Sequence, residues 1–398
     1  MKRILFLAGL FLTGSLSLYA VDMQAHMGTG EAQDAYTLYL SKQADYYTNN
    51  YADSTLRAQE GDELFGALNA LMGATCQLNQ SGFSYNSLRN EYKNVDKDLN
   101  TPGNIIGYYD GCTLNGTWDG GSTWNREHTW PQSKGADKSI AMGHDMQSVR
   151  PTSTAVNSDR GNTAYGESSN YYDPNEVSIN NSLYVNTNMG SYRGDAARVI
   201  MYDYIVYGKV GNYQNSLYNG NAQLLSKLGT SGVFESLAIL IKWHMNDPVS
   251  LTEMVRNDGA EAYQGNRNPF IDYPELAIQL FKGNSGVSTY TVRTTGTAMW
   301  PAYRYTLRDG FVAYLGTPDN RPAEVTVTGA TATYDNTNGR LIVRNVTGAV
   351  TITCPTGTAL EMTQEERKAV KVIRHGQILI LKHGKAFTTL GVPVAGVE

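Results

Sequence analysis

The hydrophobic pattern of this chain changes near residues 283–286, a Gly-Asn-Ser-Gly segment that separates two kinds of sequence. Before it, apolar residues recur three and four positions apart, as in 61–72, which is the spacing of one face of a helix. After it, runs rich in Thr, Val and Tyr alternate with turn residues, as in strands. We therefore predict an α+β domain at 21–283, with a small C-terminal all-β module at 287–398.

The first region contains several segments with helical spacing and one that lacks it. Between 73 and 123, Gly, Asn and Asp are dense, which predicts loops with short strands such as 105–109. Asp247 and Pro248 are suited to the N-cap and the first position of a helix. The predicted helices are 61–72, a largely buried one at 199–207, 233–244, one that begins at Asp247-Pro248, and 274–281.

The second region predicts short strands at 289–294, 324–328, 340–343 and 350–354. Two further runs, 370–373 and 378–381, flank His375-Gly376 and predict a hairpin. The end of the chain also resembles tail modules of secreted bacterial proteins, some of which are sorting signals. We expect 287–398 to be an accessory or sorting module.

The first 20 residues have the pattern of a signal peptide. Lys2 and Arg3 precede a mostly apolar run at 4–18, and Ala20 provides a small residue before a cleavage point. This run is too short for a confident spanning helix, and no later run reaches the roughly 18 apolar residues that one needs. We therefore predict a protein without a membrane span, secreted or on the cell surface, in an extracellular or periplasmic location.

The charge balance is mildly acidic. Without Lys2 and Arg3, the 32 basic residues become 30 against 37 acidic ones, a net charge of −7. This argues against a protein that coats nucleic acid electrostatically. It does not exclude an enzyme that grips nucleic acid locally and releases its product.

The chain has three cysteines, Cys76, Cys112 and Cys354. They are too few for a disulfide scaffold and lack the spacing of a zinc site. A disulfide between Cys76 and Cys112 and three ordinary buried thiols are equally compatible with the sequence.

Two polar blocks carry the residues suited to catalysis. The first, 124–132, places Glu127 and His128 side by side, and the second, 155–162, contains Asn157. A histidine can act as a base near neutral pH, because its ordinary pKa is about 6.5. A carboxylate and an amide oxygen are hard ligands that suit Mg²⁺, which keeps several waters and needs few protein ligands. The two blocks together indicate a metal-dependent site for phosphodiester hydrolysis.

The local geometry limits how these residues meet. On a strand, Glu127 and His128 point to opposite faces, so both reach one site only where the strand ends or bends. Pro131 supports such an end, because proline interrupts sheet pairing. We expect Asn157 on a helix that begins near Ala155, which makes a strand, loop, strand and helix within about 35 residues.

The wider pattern resembles the bacterial secreted endonuclease I family, whose members are ββα-metal (His-Me finger) nucleases. The resemblance covers roughly 60–283, with the motifs in order. They are Asn125-Arg126-Glu127-His128 with Trp130-Pro131-Gln132-Ser133, Asp145 with Arg150-Pro151-Thr152, 156–162 with Tyr165-Gly166, 193–198, Trp243-His244 with 247–250, Arg256-Asn257-Asp258, and 264–272.

The resemblance implies specific roles for these residues. His128 would be the general base, and Glu127 and Asn157 would hold Mg²⁺, with another divalent ion as the alternative. The arginines suited to steady the scissile phosphate are Arg126, Arg160 and Arg267, since a guanidinium matches phosphate geometry. The implied substrate is DNA, with RNA as a second candidate, cut with little sequence preference. We predict no stable protein partner.

Two positions depart from the family pattern. Gln147-Ser148 stand where the family usually has His or Asn, and Val206-Tyr207-Gly208 lack its usual arginine. These departures put local hydrogen bonds and phosphate grip in doubt, but they do not affect the base or the ligands.

Other interpretations compete with the catalytic one. Arg267 fits a structural role as well as a DNA contact, and His144-Asp145 fits a polar turn better than a second catalytic dyad. The chain as a whole could be a surface adhesin or binding protein with an inactive nuclease fold, or a metal-dependent phosphoesterase for small substrates. Intact Glu127, His128 and Asn157 favour the nuclease.

Overall fold

A computed structural model describes most of the chain. The described residues are 31–50, 53–99, 101–176, 178–179, 182–183, 191–316, 321–354, 370–374, 377–382, 385–388 and 393–394. The predicted signal peptide at 1–20 lies outside them, as do the turn residues His375-Gly376. No helix among the described residues is long and apolar enough to cross a membrane.

The chain is α+β, as predicted. The α-helices of the described part are α1 (Glu31–Asn50), α2 (Asp53–Ala58), α3 (Gly61–Thr75), α4 (Tyr85–Val95), α5 (Thr154–Arg160), α6 (Arg193–Tyr207), α7 (Leu237–Asn246), α8 (Leu251–Gln264), α9 (Pro269–Asp272) and α10 (Leu276–Phe281). Short 3-10 helices are at Gln132–Lys134, Ala141–His144 and Leu224–Lys227.

The strands form small sheets. In chain order they are β1 (Asn104–Ile106), β2 (Thr113–Asn115), β3 (Trp124–His128), β4 (Val149–Ser153), β5 (Ser178–Ile179), β6 (Ser182–Leu183), β7 (Tyr290–Thr295), β8 (Met299–Trp300), β9 (Tyr305–Thr306), β10 (Phe311–Leu315), β11 (Thr326–Thr328), β12 (Thr331–Asp335), β13 (Arg340–Arg344), β14 (Val350–Thr353), β15 (Val370–Arg374), β16 (Gln377–Lys382), β17 (Lys385–Thr388) and β18 (Pro393–Val394). Each of β1–β2, β3–β4 and β5–β6 is a two-stranded pair, and the four-stranded sheets have the orders β12-β13-β10-β8, β11-β14-β7-β9 and β15-β16-β17-β18.

One hydrophobic core joins the helices to the strands of 290–353. It contains Ile200 of α6 and Leu240 of α7 together with Phe311 of β10 and Val343 of β13, all without solvent exposure. Helix α6 is buried from Gly194 to Tyr207, so all its faces contact other parts of the protein. The described residues up to Cys354 form one compact unit and the strands of 370–394 a second. The domain boundaries at 283 and 287 remain a prediction.

Most of the predicted elements are present, and three are corrected. Helix α7 begins at Leu237, with Ser236 as its N-cap, rather than at 233. Helix α4 lies where loops were predicted, because Leu88, Tyr92 and Val95 bury one face of a helix that Ser84 caps. Helix α8 begins at Leu251 rather than at Pro248. Its N-cap is Ser250, which accepts a hydrogen bond from the Glu253 amide while Glu253 accepts one in return.

The cysteines of the described residues, Cys76, Cys112 and Cys354, are all free thiols. The structure therefore does not contain the Cys76–Cys112 disulfide; of the three buried thiols of the alternative, only Cys354 is fully buried, and Cys76 and Cys112 are half-buried.

The predicted strand–loop–strand–helix is present at 124–160. Strands β3 and β4 are antiparallel, with Glu127 opposite Arg150 and His128 opposite Val149. Helix α5 follows β4 without a loop, and the Ser153 side chain accepts a hydrogen bond from the Val156 amide at its start. We call this unit the ββα finger.

Candidate active site

One face of β3 is covered by α5. Asn125 and Glu127 are two residues apart and so lie on the same side of the strand. The Asn157 side-chain amide donates to Asn125 Oδ1, and Arg160, one turn further along the helix, lies 2.9 Å from Glu127 through Nε and Oε1. The two predicted metal ligands, Glu127 and Asn157, are therefore on facing sides of one strand–helix contact.

The Glu127 carboxylate is buried and has two strong partners. The Tyr109 hydroxyl donates to its Oε1 at 2.7 Å, and Arg160 balances its charge. Burial raises the pKa of Glu127, while Arg160 and Tyr109 oppose that rise. Tyr109 has a φ of +75°, a conformation rare for residues other than glycine, and its ring packs against the Tyr108 ring at 3.9 Å.

His128 ends β3 and uses the other side of the strand. Its Nε2 lies 3.0 Å from the Gly143 carbonyl oxygen, and its Nδ1 lies 3.3 Å from the Gln132 amide nitrogen. Burial lowers the pKa of His128 to about 4, so the ring is neutral near pH 7. Because a carbonyl can only accept, the proton of the neutral ring is on Nε2. Nδ1 is then the basic atom.

The Gly143 carbonyl is placed by a close backbone contact. A Cβ at position 143 would lie 1.9 Å from the Asp137 carbonyl oxygen, so only glycine fits there without displacement. The 3-10 turn at Ala141–His144 thus packs tightly on the preceding loop and presents its carbonyl to His128.

The three candidate arginines have different surroundings. Arg160 is fully buried; it forms the ion pair with Glu127 and donates hydrogen bonds to the carbonyl oxygens of Thr129 and Gly161. Arg267 is also fully buried, and its guanidinium is paired with three carboxylates. They belong to Asp258, Glu261 and Asp272.

Arg126 differs from both. It is partly exposed, its guanidinium carbon lies 3.6 Å from the centre of the Tyr85 ring, and Nη1 donates to the Tyr85 carbonyl. Within the described residues, no carboxylate lies within 4.0 Å of its nitrogens, the distance that defines the ion pairs of Arg160 and Arg267. Of the three predicted phosphate contacts, Arg126 is the one whose charge is available in this arrangement.

The positions that depart from the family pattern serve the interior. Gln147 donates to Asn257, and the Ser148 hydroxyl donates to Asp203. Asp145, which precedes them, accepts from the hydroxyls of Tyr202 and Tyr207 at 2.7 Å each. The segment after His144 is therefore a buried polar turn, in agreement with the structural interpretation.

The donor set of the finger suits a hard cation. The Asn157–Asn125 bond uses the Asn157 nitrogen, so the Asn157 amide oxygen is the atom suited to a ligand, as is the Glu127 carboxylate. Among the described residues, no group of three or more His, Cys, Asp or Glu side chains is placed to hold a metal. A site with one carboxylate and one amide oxygen differs from such a cluster and fits Mg²⁺, which keeps most of its waters.

Some contacts of the site were not predicted from the sequence. Gln132 belongs to the first polar block, four residues after His128, and this spacing is the signal that could have indicated it. Tyr109 and Gly143 lie 18 and 15 residues from their partners, and no local pattern marks them.

The sequence of this chain is similar to those of known nucleases over the region that contains the ββα finger. The sequence model of the Endonuclease I family matches residues 74–275, slightly more than half of the chain. A Bacillus amyloliquefaciens protein named extracellular ribonuclease is 31% identical over 240 residues, which cover 56% of this chain and 75% of the relative. An extracellular ribonuclease of Bacillus subtilis strain 168 is 30% identical over 249 residues, covering 59% and 79%. With the ββα finger and both polar blocks inside the matched region, the chain belongs to the endonuclease I family of nucleases.

Proposed function

We propose that this protein is a secreted, Mg²⁺-dependent endonuclease that hydrolyses phosphodiester bonds of DNA, and of RNA, with little sequence preference. The main support is the state of His128: a buried, neutral imidazole whose Nε2 proton is held by Gly143, so that Nδ1 can take a proton. Both Bacillus relatives are named extracellular ribonucleases, which supports RNA as a substrate and secretion of this protein.

The proton transfer assigned to His128 follows from its contacts. The exposed Gln132 amide lies a long 3.3 Å from Nδ1, a bond weak enough for a water to replace. That water gives its proton to Nδ1 as its oxygen forms a bond to phosphorus and the bond to the 3′ oxygen breaks; the departing 3′ oxygen takes its proton from solvent water. A positioned base of this kind contributes about 10²–10⁴-fold to the rate.

Charge on the phosphate is the second requirement. We propose that Glu127 and Asn157 hold Mg²⁺, which when bound neutralises charge that builds on the phosphate oxygens. Arg126, with no carboxylate partner among the described residues, is the protein cation proposed to contact a phosphate. Contacts of this kind go to the backbone and carry no sequence information, consistent with little sequence preference.

The test is cleavage of plasmid DNA and of a ribosomal RNA fragment by purified protein, with MgCl₂ and with EDTA. We expect His128→Ala to lose at least 100-fold in rate, within the range of base catalysis. The matched control is His244→Gln, since His244 is a buried histidine of α7 whose contact with the Pro274 carbonyl a glutamine amide can keep. Cutting by His128→Ala at the wild-type rate would exclude His128 as the base. Cutting that persists in EDTA would exclude a requirement for Mg²⁺.

The rival functions predict different results. An adhesin with an inactive nuclease fold predicts no cleavage by the wild-type protein under any condition. A phosphoesterase for small substrates predicts faster hydrolysis of bis(p-nitrophenyl) phosphate than of a bond in DNA or RNA.

A further inference from the structure

Four side chains beside His128 form a continuous series in which cations and aromatic rings alternate. The guanidinium carbon of Arg89 lies 5.9 Å from the centre of the Trp118 ring. That of Arg126 lies 5.0 Å from Trp118 and 3.6 Å from Tyr85. The Tyr85 ring stacks on His128, with 5.4 Å between ring centres and 27° between planes. We call Arg89, Trp118, Arg126 and Tyr85 the cation–aromatic row.

The row is accessible and positively charged. All four side chains are partly exposed, whereas other aromatic residues of the finger, such as Trp124 and Trp130, are buried. Within the described residues, no carboxylate lies within ion-pair distance of Arg89 or Arg126.

The acidic residues of the neighbouring segments bind other groups. Asp119 accepts bonds from the backbone of 121–123 and from the Thr123 hydroxyl. Glu91 accepts from Asn94, and Glu127 pairs with Arg160 on the other side of β3. Asp119 and Glu91 keep their own charges but form no ion pair with the row, so the two guanidinium groups remain unpaired within the described part of the chain, which suits contacts to phosphates.

We infer that the cation–aromatic row binds single-stranded nucleic acid next to the scissile phosphate, with an unpaired base on Trp118 and backbone phosphates on Arg126 and Arg89, while Tyr85 holds Arg126 beside His128. This inference rests on the proposed nuclease function and names its preferred substrate class. Stacking on aromatic rings accepts any base, because every base has a π-face. A duplex keeps those faces inside its own stack, so the row favours DNA or RNA strands that are unpaired near the cut.

The contacts of Trp118 also allow a purely structural role. Its ring meets the buried Trp124 edge-on, with 4.9 Å between ring centres. Trp118→Leu keeps apolar volume over Trp124 and removes the aromatic face, whereas Trp118→Phe keeps an aromatic face. A structural role predicts that each variant changes the activity on all substrates by the same factor. A stacking role predicts that Trp118→Leu loses activity mainly on substrates with unpaired bases, and that Trp118→Phe keeps it.

The kinetic test compares two substrates of the same enzyme in MgCl₂: a single-stranded 12-mer and an abasic strand of the same length, which has the phosphates but no base to stack. For Trp118→Leu we expect the ratio of the two kcat/KM values to fall about tenfold, equivalent to ~1.4 kcal/mol, with recovery in Trp118→Phe. Trp300→Leu, at a partly exposed tryptophan of β8, is the matched control. A ratio within twofold of wild type in Trp118→Leu overturns the inference.

A binding test separates this inference from the proposed function. In EDTA, fluorescence anisotropy with a labelled dT12 strand and with the corresponding dA12–dT12 duplex requires no catalysis. We expect tighter binding of the strand and about tenfold weaker binding by Trp118→Leu. Strand binding that depends on Trp118, without any cleavage in MgCl₂, would contradict the proposed nuclease function and support the binding role of the cation–aromatic row. Cleavage with equal binding of strand and duplex would support the nuclease function and contradict the binding role of the row.

Discussion

His128 Nε2 lies 3.0 Å from the carbonyl oxygen of Gly143, fifteen residues further along the chain. The contact fixes the tautomer, because the carbonyl accepts the only proton of the neutral ring and leaves Nδ1 as the base. The same glycine is held so closely against Asp137 that a methyl group would meet the Asp137 carbonyl at 1.9 Å. The tautomer of the base is thus set by a backbone group.

Gly143→Ala is expected to displace this turn and to slow cleavage. Since the Gly143 carbonyl would move away from His128, the ring would lose the bond that orients it, and we expect kcat to fall by about tenfold or more, part of the 10²–10⁴ that a positioned base provides. Single-turnover cleavage of an oligonucleotide measures the effect. Gly348→Ala, where a Cβ meets nothing within 4 Å, is the control. Unchanged kcat in Gly143→Ala would show that the carbonyl does not orient the base.

Arg160 is expected to matter for stability more than for substrate binding. Arg160→Met would leave the Glu127 carboxylate buried without its cation, and removing one partner of a buried pair costs about 3–5 kcal/mol. Urea unfolding measures the loss. Arg126→Met, which removes a guanidinium without a carboxylate partner among the described residues, should cost about 1 kcal/mol. If Arg160→Met keeps its stability and loses oligonucleotide affinity, Arg160 contacts phosphate after all.

Arg126 is expected to contribute to the salt dependence of kcat/KM. A cation that contacts one phosphate contributes about one unit to the slope of log(kcat/KM) against log salt concentration. The slope is negative, and we expect Arg126→Ala to make it shallower by about 1 for DNA. The same measurement on Lys209→Ala, a lysine whose nitrogen lies 6.0 Å from the Tyr218 ring, is the comparison. Equal slopes in wild type and Arg126→Ala would exclude a phosphate contact.

The elements whose formation depends on residues close in sequence could be predicted. Helix α3 follows from the spacing of Leu64 and Leu68, and the ββα finger from the two polar blocks. Helix α4 was missed because the composition of 73–123 suggested loops, while its burial at Leu88 and Tyr92 and its cap at Ser84 are set by a few residues only.

The surroundings of the site depend on contacts between distant residues. Whether an arginine meets solvent or a carboxylate cannot be deduced from its own segment. Arg267 is five residues from Asp272 but also pairs with Asp258, and the chain must turn at Gly265 before all three meet. For the same reason Tyr109, the donor to Glu127, could not be predicted from local spacing.

Asn157 is expected to control metal binding in the absence of substrate. If Glu127 and Asn157 hold Mg²⁺, the ion binds the folded state and raises its stability by about 2.7 kcal/mol at 100 times its Kd. MgCl₂ should therefore raise the Tm of the wild-type protein, and Asn157→Ala should lose most of that rise. Asn162→Ala, which removes an exposed amide bonded to Ser133, is the control. Equal rises in Asn157→Ala and wild type would place the ion elsewhere.

His244 is expected to make the protein sensitive to acid. Its ring is buried in α7, its Nε2 lies 2.7 Å from the Pro274 carbonyl oxygen, and burial lowers its pKa to about 3. Between pH 6.5 and 3 the unfolded chain takes up a proton that the folded protein refuses, so stability is present above pH 6.5 and falls as the pH drops. From pH 6.5 to 4.5 the loss from this group is roughly 2 kcal/mol, since each unit of pKa difference corresponds to about 1.4 kcal/mol.

His244→Gln removes this titration and should flatten the dependence of stability on pH by that amount. Urea unfolding of both proteins at pH 6.5 and 4.5 isolates it, because the other titrating groups contribute to both. A glutamine amide can still donate to the Pro274 carbonyl, so the variant should keep its fold at pH 6.5. An equal loss of stability between the two pH values in variant and wild type would mean that His244 binds its proton as readily in the folded protein as in the unfolded chain.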